Sequence, residues 1–255
     1  MIHWSARAAT VLALGIAVSG CHYMNDWGEV QGVPLSELDM SGDAPSEIEL
    51  AGPDRVVISD GDSLQITLEG DDEAGSALRF DREGNSLTIA RDREVYRGDE
   101  HAIVLITMPS PSNLEIAGSG EISAASMASI AEIEIAGSGD VTVERIDAEK
   151  LTVEIAGSGS VEAAGQAEEL EVEIAGSGDV NLAELQAQNV SVAIAGSGDV
   201  KVSSDGQVDA SIAGSGDVVV IGSASCSVQS AGSGSVDCRP RDDVAATVSG
   251  EIAAD

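Results

Sequence analysis

The sequence predicts an all-β protein, a single-stranded parallel β-helix with rungs of 18–20 residues and a β-rich N-terminal cap. The tetrapeptide Ala-Gly-Ser-Gly occurs seven times at intervals of 18, 19 or 20 residues. Apolar and polar residues alternate around each copy, and the chain has one Phe. A fixed period near 20 residues indicates a solenoid, in which stacked units complete one another's core. The copies begin at Ala117, Ala136, Ala156, Ala175, Ala195, Ala213 and Ala231. Crossovers between parallel strands favour a right-handed coil, and a left-handed coil is the competing hypothesis.

Residues 1–20 are predicted to be a lipoprotein signal peptide. Arg7 is the only charged side chain before Cys21, and the apolar stretch 8–18 is too short to span a membrane. The sequence Val-Ser-Gly-Cys that ends at Cys21 resembles a bacterial lipobox, which implies cleavage before Cys21 and lipid on its sulfur. An ordinary secretory signal and a short membrane anchor are the alternatives.

The residue after Cys21 is His22 rather than Asp. By analogy with bacteria that sort lipoproteins by this residue, His22 favours the outer membrane. The predicted location is therefore the bacterial cell envelope, with the membrane contacted through lipidated Cys21.

Residues 21–45 are predicted to be a tether, and residues 46–112 a β-rich N-terminal part. Two stretches in which apolar and polar residues alternate, 78–80 and 87–89, flank the polar residues 82–85, which indicates a hairpin. Residues 46–112 are expected to form either a cap on the solenoid or its first irregular rungs. A cap is expected because an open terminal rung exposes unpaired N–H and C=O groups.

Residues 113–238 are predicted to form the parallel β-helix proper. In the unit around Ala156, Leu151, Val153 and Ile155 alternate with polar residues, which is the period of a strand. We expect rungs about 4.8 Å apart. A side chain at Gly176 or Gly178 is expected to destabilise the fold, because these corners require glycine. The polar outer positions include Glu132, Glu134, Glu154, Glu171 and Glu173.

Cys226 and Cys238 occupy positions that hold core residues in the preceding repeats. Disulfides persist in exported chains, so we expect inward-pointing thiols and a bridge that staples the last full rung. The alternative is two small buried hydrophobic residues. Residues 239–255 are predicted to be a C-terminal cap or tail.

The formal net charge is −33, which disfavours nucleic acid and anionic polysaccharide as partners. An acid follows the turn in most repeats. Stacked carboxylates repel, and Ca²⁺ bound between them relieves that repulsion. The alternative is that each acid caps its turn through backbone amides. The candidate calcium ligands are Asp140, Asp179, Asp199 and Asp217, and no other cofactor is predicted.

The sequence predicts no enzyme. The seven repeat serines are expected to form a ladder of hydroxyl hydrogen bonds, because no histidine base lies in the repeat region. His101 is interpreted as a strand residue. A polysaccharide-active enzyme is the remote alternative, disfavoured because the repeats contain no aromatic residue on which a sugar could stack.

The segment Met108-Pro109-Ser110-Pro111 followed by Leu114–Ile122, and the recurring Ile-Ala-Gly-Ser-Gly-Asp-Val at 194–200, resemble the family of auto-transporter adhesins with a head GIN domain. The resemblance covers roughly residues 46–238. It implies a β-helical, often lipid-anchored bacterial surface protein without catalytic residues. The predicted function is a non-catalytic envelope lipoprotein for adhesion or scaffolding, with an unidentified protein or glycan as ligand. A self-assembling extracellular matrix protein is the alternative.

Overall fold

The computed structural model describes residues 32–240, which form one 16-stranded sheet. A 3₁₀ turn at Leu35–Glu37 precedes the strands, and one short helix, α1 at Asp72–Ser76, interrupts them. The first strands are β1 Glu47–Ala51, β2 Arg55–Asp60, β3 Gln65–Gly70, β4 Leu78–Glu83, β5 Ser86–Arg91, β6 Ala102–Met108, β7 Asn113–Gly118 and β8 Glu121–Ser126. The others are β9 Ile130–Gly137, β10 Asp140–Gly157, β11 Ser160–Gly176, β12 Asp179–Gly196, β13 Val200–Gly214, β14 Val218–Ile221, β15 Ser225–Gly232 and β16 Val236–Arg239.

The repeats coil into a parallel β-solenoid of about seven turns with rungs of about 19 residues, which confirms the predicted fold class. Strands β10 to β13 each run through most of a rung, and each pairs in parallel with the next. The repeat positions superpose. For example, Val153 lies beside Val172, and Val172 lies beside Val192.

The core is a narrow column of aliphatic side chains inside the coil. In the unit around Ala156, Leu151, Val153 and Ile155 are fully buried, and the residues between them are half-buried. Burial of one such side chain contributes about 1.5–3 kcal/mol. Each rung relies on its neighbours above and below to exclude water, so stacking stabilises the coil.

The N-terminal part continues the same coil and also covers its first edge. Strand β1 pairs in parallel with both β5 and β7, so it is a rung of the solenoid. The predicted hairpin is confirmed, because β4 pairs antiparallel with β5 around Gly84. Strand β4 ends the sheet, and β3 adds a second antiparallel pair with β6. The first turn is therefore both a rung and a cap.

Glycine is required at the corners because successive backbones approach closely there. Gly176 has a φ of 140°, and a Cβ on it would lie 2.1 Å from the carbonyl oxygen of Gly157. A Cβ on Gly178 would lie 2.6 Å from Cγ2 of Ile155. The first glycine is thus fixed by conformation and backbone contact, and the second by core packing.

The C-terminal rung is the most exposed part of the described chain. Cys226 and Cys238 are joined by a disulfide and lie in register with Val208 and Val220, as their spacing predicts. The expected inward burial is wrong for Cys238, which is exposed, and Cys226 is half-buried. The reason is their position in the last described rung, since no later rung within residues 32–240 covers them.

Within residues 32–240, no helix has the length and apolar character needed to cross a membrane.

Candidate functional site

Five glutamates stack in one column of the sheet, and we call this column the glutamate ladder. Its first member, Glu49, is buried, and the other four are half-buried. Each member lies beside the next across the parallel strands β1, β7, β9, β10 and β11. Paired strands are about 4.8 Å apart, so the carboxylates are close neighbours and repel one another. The members are Glu49, Glu115, Glu134, Glu154 and Glu173.

The environment of the ladder disfavours its negative charge. Partial burial, reinforced by the neighbouring carboxylates of Glu49, Glu132 and Glu47, raises the pKa of Glu115 to about 7. The pKa values of other ladder members are also raised, chiefly by desolvation. These members are Glu134, Glu154 and Glu173. The ladder therefore gains protons at a higher pH than free glutamates do.

A second polar column runs beside the ladder, and a lysine forms a hydrogen bond with one of its members. Glu132 lies beside Thr152, and Thr152 lies beside Glu171. Lys150 donates a hydrogen bond to Glu171 over 2.9 Å. Among the described residues, no ladder member from Glu115 onwards forms an ion pair, so the ladder is a flat acidic surface suited to a cationic or hydrogen-bond-donating partner.

The candidate calcium ligands lie in a different column, at the exposed turn that follows each corner. Asp179 Oδ1 accepts a hydrogen bond from the backbone N–H of Asp199 at 3.2 Å, and Asp199 Oδ1 accepts one from Asp217 at 2.9 Å. Ser160 separates Asp140 from Asp179 and donates its hydroxyl to Asp140. These contacts correspond to backbone capping, although each carboxylate caps the turn of the next rung.

Asp217 shows the chemical effect of this capping. Its Oδ1 accepts both the hydroxyl and the backbone N–H of Ser235, at 2.7 and 2.9 Å, and these hydrogen bonds lower its pKa. Within residues 32–240, no three His, Cys, Asp or Glu side chains are grouped as a metal site. Calcium binding by this column stays a prediction.

The repeat serines connect the corners through their backbone, and the expected hydroxyl ladder is wrong. The N–H of Ser177 donates to the carbonyl oxygen of Gly157 at 2.8 Å, and Ser197 contacts Gly176 in the same way. The first glycine of each corner turns its carbonyl towards the next rung, so it accepts the N–H there. The serine side chains face solvent.

The remaining predicted residues lie apart from this surface. Cys21 and its neighbours lie outside the described residues. His101 is exposed and precedes β6, so it is not inside a strand as expected. The C-terminal disulfide lies at the last described rung.

Sequence reasoning missed the two ladder members nearest the N-terminus. Glu115, like Glu134, Glu154 and Glu173, stands two residues before the alanine of an Ala-Gly corner. Glu49 stands two residues before Ala51-Gly52, a corner that lacks the Ser-Gly half of the motif. Alignment on Ala-Gly alone, rather than on all four letters, would have found the whole column.

The fold and this surface define a parallel β-solenoid that presents stacked acidic side chains on a flat outer face. The family described as putative auto-transporter adhesin, head GIN domain, matches residues 44–224, and the chain belongs to this family. The chain matches none of the curated proteins with which it was compared.

Solved structures share the fold. A putative adhesin from Bacteroides fragilis has a TM-score of 0.70 at 19% identity, covering 77% of this chain and 93% of that one. A putative lipid binding protein from Parabacteroides distasonis has a TM-score of 0.60 at 22% identity, covering 77% of this chain and 93% of that one. A putative adhesin from Parabacteroides merdae has a TM-score of 0.58 at 18% identity, covering 77% of this chain and 92% of that one. At these identities the likeness concerns the fold alone.

Proposed function

We propose that the protein is a non-catalytic binding module of the bacterial cell envelope, used for adhesion or for scaffolding. The observation that carries this proposal is the solvent-accessible part of the glutamate ladder, the four stacked acids from Glu115 to Glu173. Such a surface selects partners by complementary charge and by repeat distance. Membership of an adhesin family supports the same role.

Attachment to the envelope is proposed to occur through lipid on Cys21, with His22 directing the protein to the outer membrane. The solenoid then stands away from the membrane, and its outer face is available to an unidentified protein or glycan. Nucleic acid is not proposed as a partner, because the net charge of −33 opposes binding to a polyanion.

The absence of catalysis is part of this proposal. A hydrolase built on the repeat serines needs a base within hydrogen-bond reach. His101, the only histidine within residues 32–240, precedes the repeats, and the serine side chains point into solvent. Turnover of any substrate from a panel of bacterial and host glycans would contradict the proposal.

Self-assembly is kept as a second candidate function because of β15. This edge strand has no charged residue, pairs only with β13 among the described strands, and leaves Val228 48% exposed. Unprotected neutral edges readily add further strands. Growth of fibres with rising concentration favours this candidate, whereas a persistent monomer favours the displayed module.

Labelling with a radioactive fatty acid tests the anchor. We expect incorporation into the wild-type protein and none into Cys21→Ser, with the wild type in the outer-membrane fraction. Incorporation of the label into Cys21→Ser would contradict the proposed lipid site. Recovery of the wild-type protein in the inner-membrane fraction would contradict the proposed sorting.

A binding assay tests the ladder. The triple variant Glu134→Gln, Glu154→Gln, Glu173→Gln is expected to bind isolated envelopes or host cells at least tenfold more weakly than the wild type. The matched control has the same charge change at exposed glutamates outside the ladder: Glu144→Gln, Glu168→Gln and Glu184→Gln. Equal losses in both variants would indicate net charge alone and would contradict a specific surface.

A further inference from the structure

A cleft at the N-terminal end of the solenoid has chemistry unlike the rest of the molecule. It measures about 690 Å³ and lies between Pro53, in the loop that follows β1, and the segment 92–101, which connects β5 to β6. Its lining includes Arg93, Glu94, Arg97 and Asp99. The repeats are acidic and lack aromatic residues, whereas this cleft combines arginine, acid and tyrosine.

Arg91, which lines the cleft, forms a buried ion pair with Asp54. Arg91 Nε donates to Asp54 Oδ2 at 2.9 Å, and both side chains are almost completely buried. Arg91 Nη1 also donates to the carbonyl of Glu100, and the N–H of Ala102 donates to Asp54. These bonds fasten both ends of the segment to the first corner of the coil.

One wall of the cleft is Tyr96, whose position is also fixed. Its ring centroid lies 5.4 Å from the guanidinium carbon of Arg91, a cation–π contact. A Cβ on Gly98 would lie 2.3 Å from the Tyr96 hydroxyl oxygen, so only glycine permits this arrangement. The absence of a side chain at Gly98 therefore leaves room for the Tyr96 ring in this position.

Arg93 and Arg97 are exposed and form no ion pair within residues 32–240. This is unusual in a chain with 45 acidic and 12 basic residues. Arg82 binds three backbone carbonyls, and Lys201 alone among the other described cations lacks a partner. Those with a carboxylate partner are Arg55, Arg79, Arg91, Arg145, Lys150 and Arg239.

Free guanidinium groups in a cleft fit a carboxylate, because the planar fork donates two parallel hydrogen bonds to it. Glu94 and Asp99 line the same cleft and supply acceptors. A ligand that satisfies both sets has one carboxylate and several hydroxyl groups. That description fits an acidic sugar.

The net charge of the protein further restricts the class of ligand that fits the cleft. A chain with a net charge of −33 repels an extended polyanion, whereas a single carboxylate is screened from distant charges beyond about 8 Å at physiological ionic strength. We propose that the cleft of Arg93, Arg97 and Tyr96 binds the carboxylate-bearing sugar at the end of a glycan. This rests on the binding role proposed above and assigns it a ligand class.

Titration with methyl β-glucuronide tests the proposal, with backbone amide shifts followed by NMR on the folded protein. We expect saturable shifts confined to residues 91–101 and to the corner at Asp54. Methyl β-glucoside, which lacks the carboxylate, is expected to bind at least tenfold more weakly. Equal affinity for the two sugars would overturn the proposal, as would equal competition by acetate, which would indicate a general anion site.

Two variants and a matched control complete the test. Arg93→Gln with Arg97→Gln is expected to weaken glucuronide binding at least tenfold, and Gly98→Ala to weaken it by displacing Tyr96 without any change in charge. Lys201→Gln removes an unpaired cation from a distant rung and is expected to bind as the wild type does. Unaltered binding by the double arginine variant would overturn the assignment.

Hyaluronan oligosaccharides, which carry glucuronate in every disaccharide, test the terminal-sugar restriction. We expect weaker binding per glucuronate than for the methyl glucuronide, with the difference reduced at high salt. Tighter binding of the longer chains would overturn the restriction. Failure of all these sugars to bind would leave the envelope assay with the ladder variants unaffected, so the two proposals fail separately.

Discussion

The first corner of the coil and the corners of the repeats form the same backbone hydrogen bond with different residues. In the repeats, the carbonyl of Gly120 accepts the N–H of Asp140 at 3.0 Å. In the first turn, the carbonyl of Asp54 accepts the N–H of Glu121 at the same distance. Asp54 thus stands where the repeats have a buried glycine, and its carboxylate recruits Arg91. The repeats have two glycines at each corner, whereas the first corner keeps one, Gly52, and has an acid in a buried ion pair in place of the other.

A side chain at a repeat corner gives the largest expected effect. In Gly176→Val, the left-handed backbone conformation costs about 1–3 kcal/mol and the contact with Gly157 about as much again. We therefore expect the free energy of unfolding to fall by roughly 4 kcal/mol in urea denaturation. Gly75→Val is the control, since a Cβ there meets only Leu68 at 3.8 Å. Equal stability of the two variants would show that the corners tolerate side chains.

Removal of the acid at the first corner gives the next largest effect. Asp54→Ala leaves the buried Arg91 without a counter-charge, which costs about 3 kcal/mol. The control is Glu171→Ala, which breaks the exposed pair with Lys150 and is expected to cost less than about 1 kcal/mol. Thermal unfolding distinguishes them. Similar losses in both would mean that the first corner does not depend on its ion pair.

The C-terminal rung sharpens the comparison from the other end of the coil. Replacement of both Cys226 and Cys238 by Ser removes a short covalent loop and costs at most about 3 kcal/mol, by loop-closure arguments. The loss is expected to be local, because β15 pairs only with β13 among the described strands. Hydrogen exchange should quicken in β15 and β16 and stay unchanged in β10 to β12. Faster exchange throughout the coil would contradict an independent terminal rung.

Sequence reasoning succeeded where the fold repeats and failed where chemistry departs from the repeat. The corner spacing and the strand period predicted the rungs, the register of Cys226 and the core positions, because backbone stacking forces each of them. The role of Asp54 was missed, since its partner Arg91 lies 37 residues away and neither residue shows a pattern. The glutamate ladder was only partly recognised. Glu49 precedes an incomplete motif, whereas Glu115 precedes a complete motif and could have been aligned with the other members.

Exposure at the last rung was also missed, for a physical reason. Cys238 occupies a core position by spacing, but burial depends on a following rung. Spacing predicts which way a side chain points. It does not predict whether another layer covers that side chain.

The smallest expected effect concerns the one chemical feature that the first turn and the repeats share, the glutamate ladder. Because the pKa of Glu115 rises from 4.5 to about 7 on folding, the folded state binds more protons than the unfolded state between these values. The contribution of Glu115 to stability is therefore full below about pH 4.5 and is lost as the pH rises through about 7.

The variant Glu115→Gln isolates this contribution. We expect its Tm to exceed that of the wild type at about pH 8 and to match it near pH 4.5. The corresponding difference in the free energy of unfolding at about pH 8 is expected to be below about 1 kcal/mol, because the group is partly solvated. Glu168→Gln, an exposed glutamate outside the ladder, makes the same charge change and is expected to leave the pH dependence as it is. If both variants change the dependence of Tm on pH equally, the repulsion comes from the whole acidic surface rather than from the stacked column. That result would contradict the interpretation of the ladder as a distinct site.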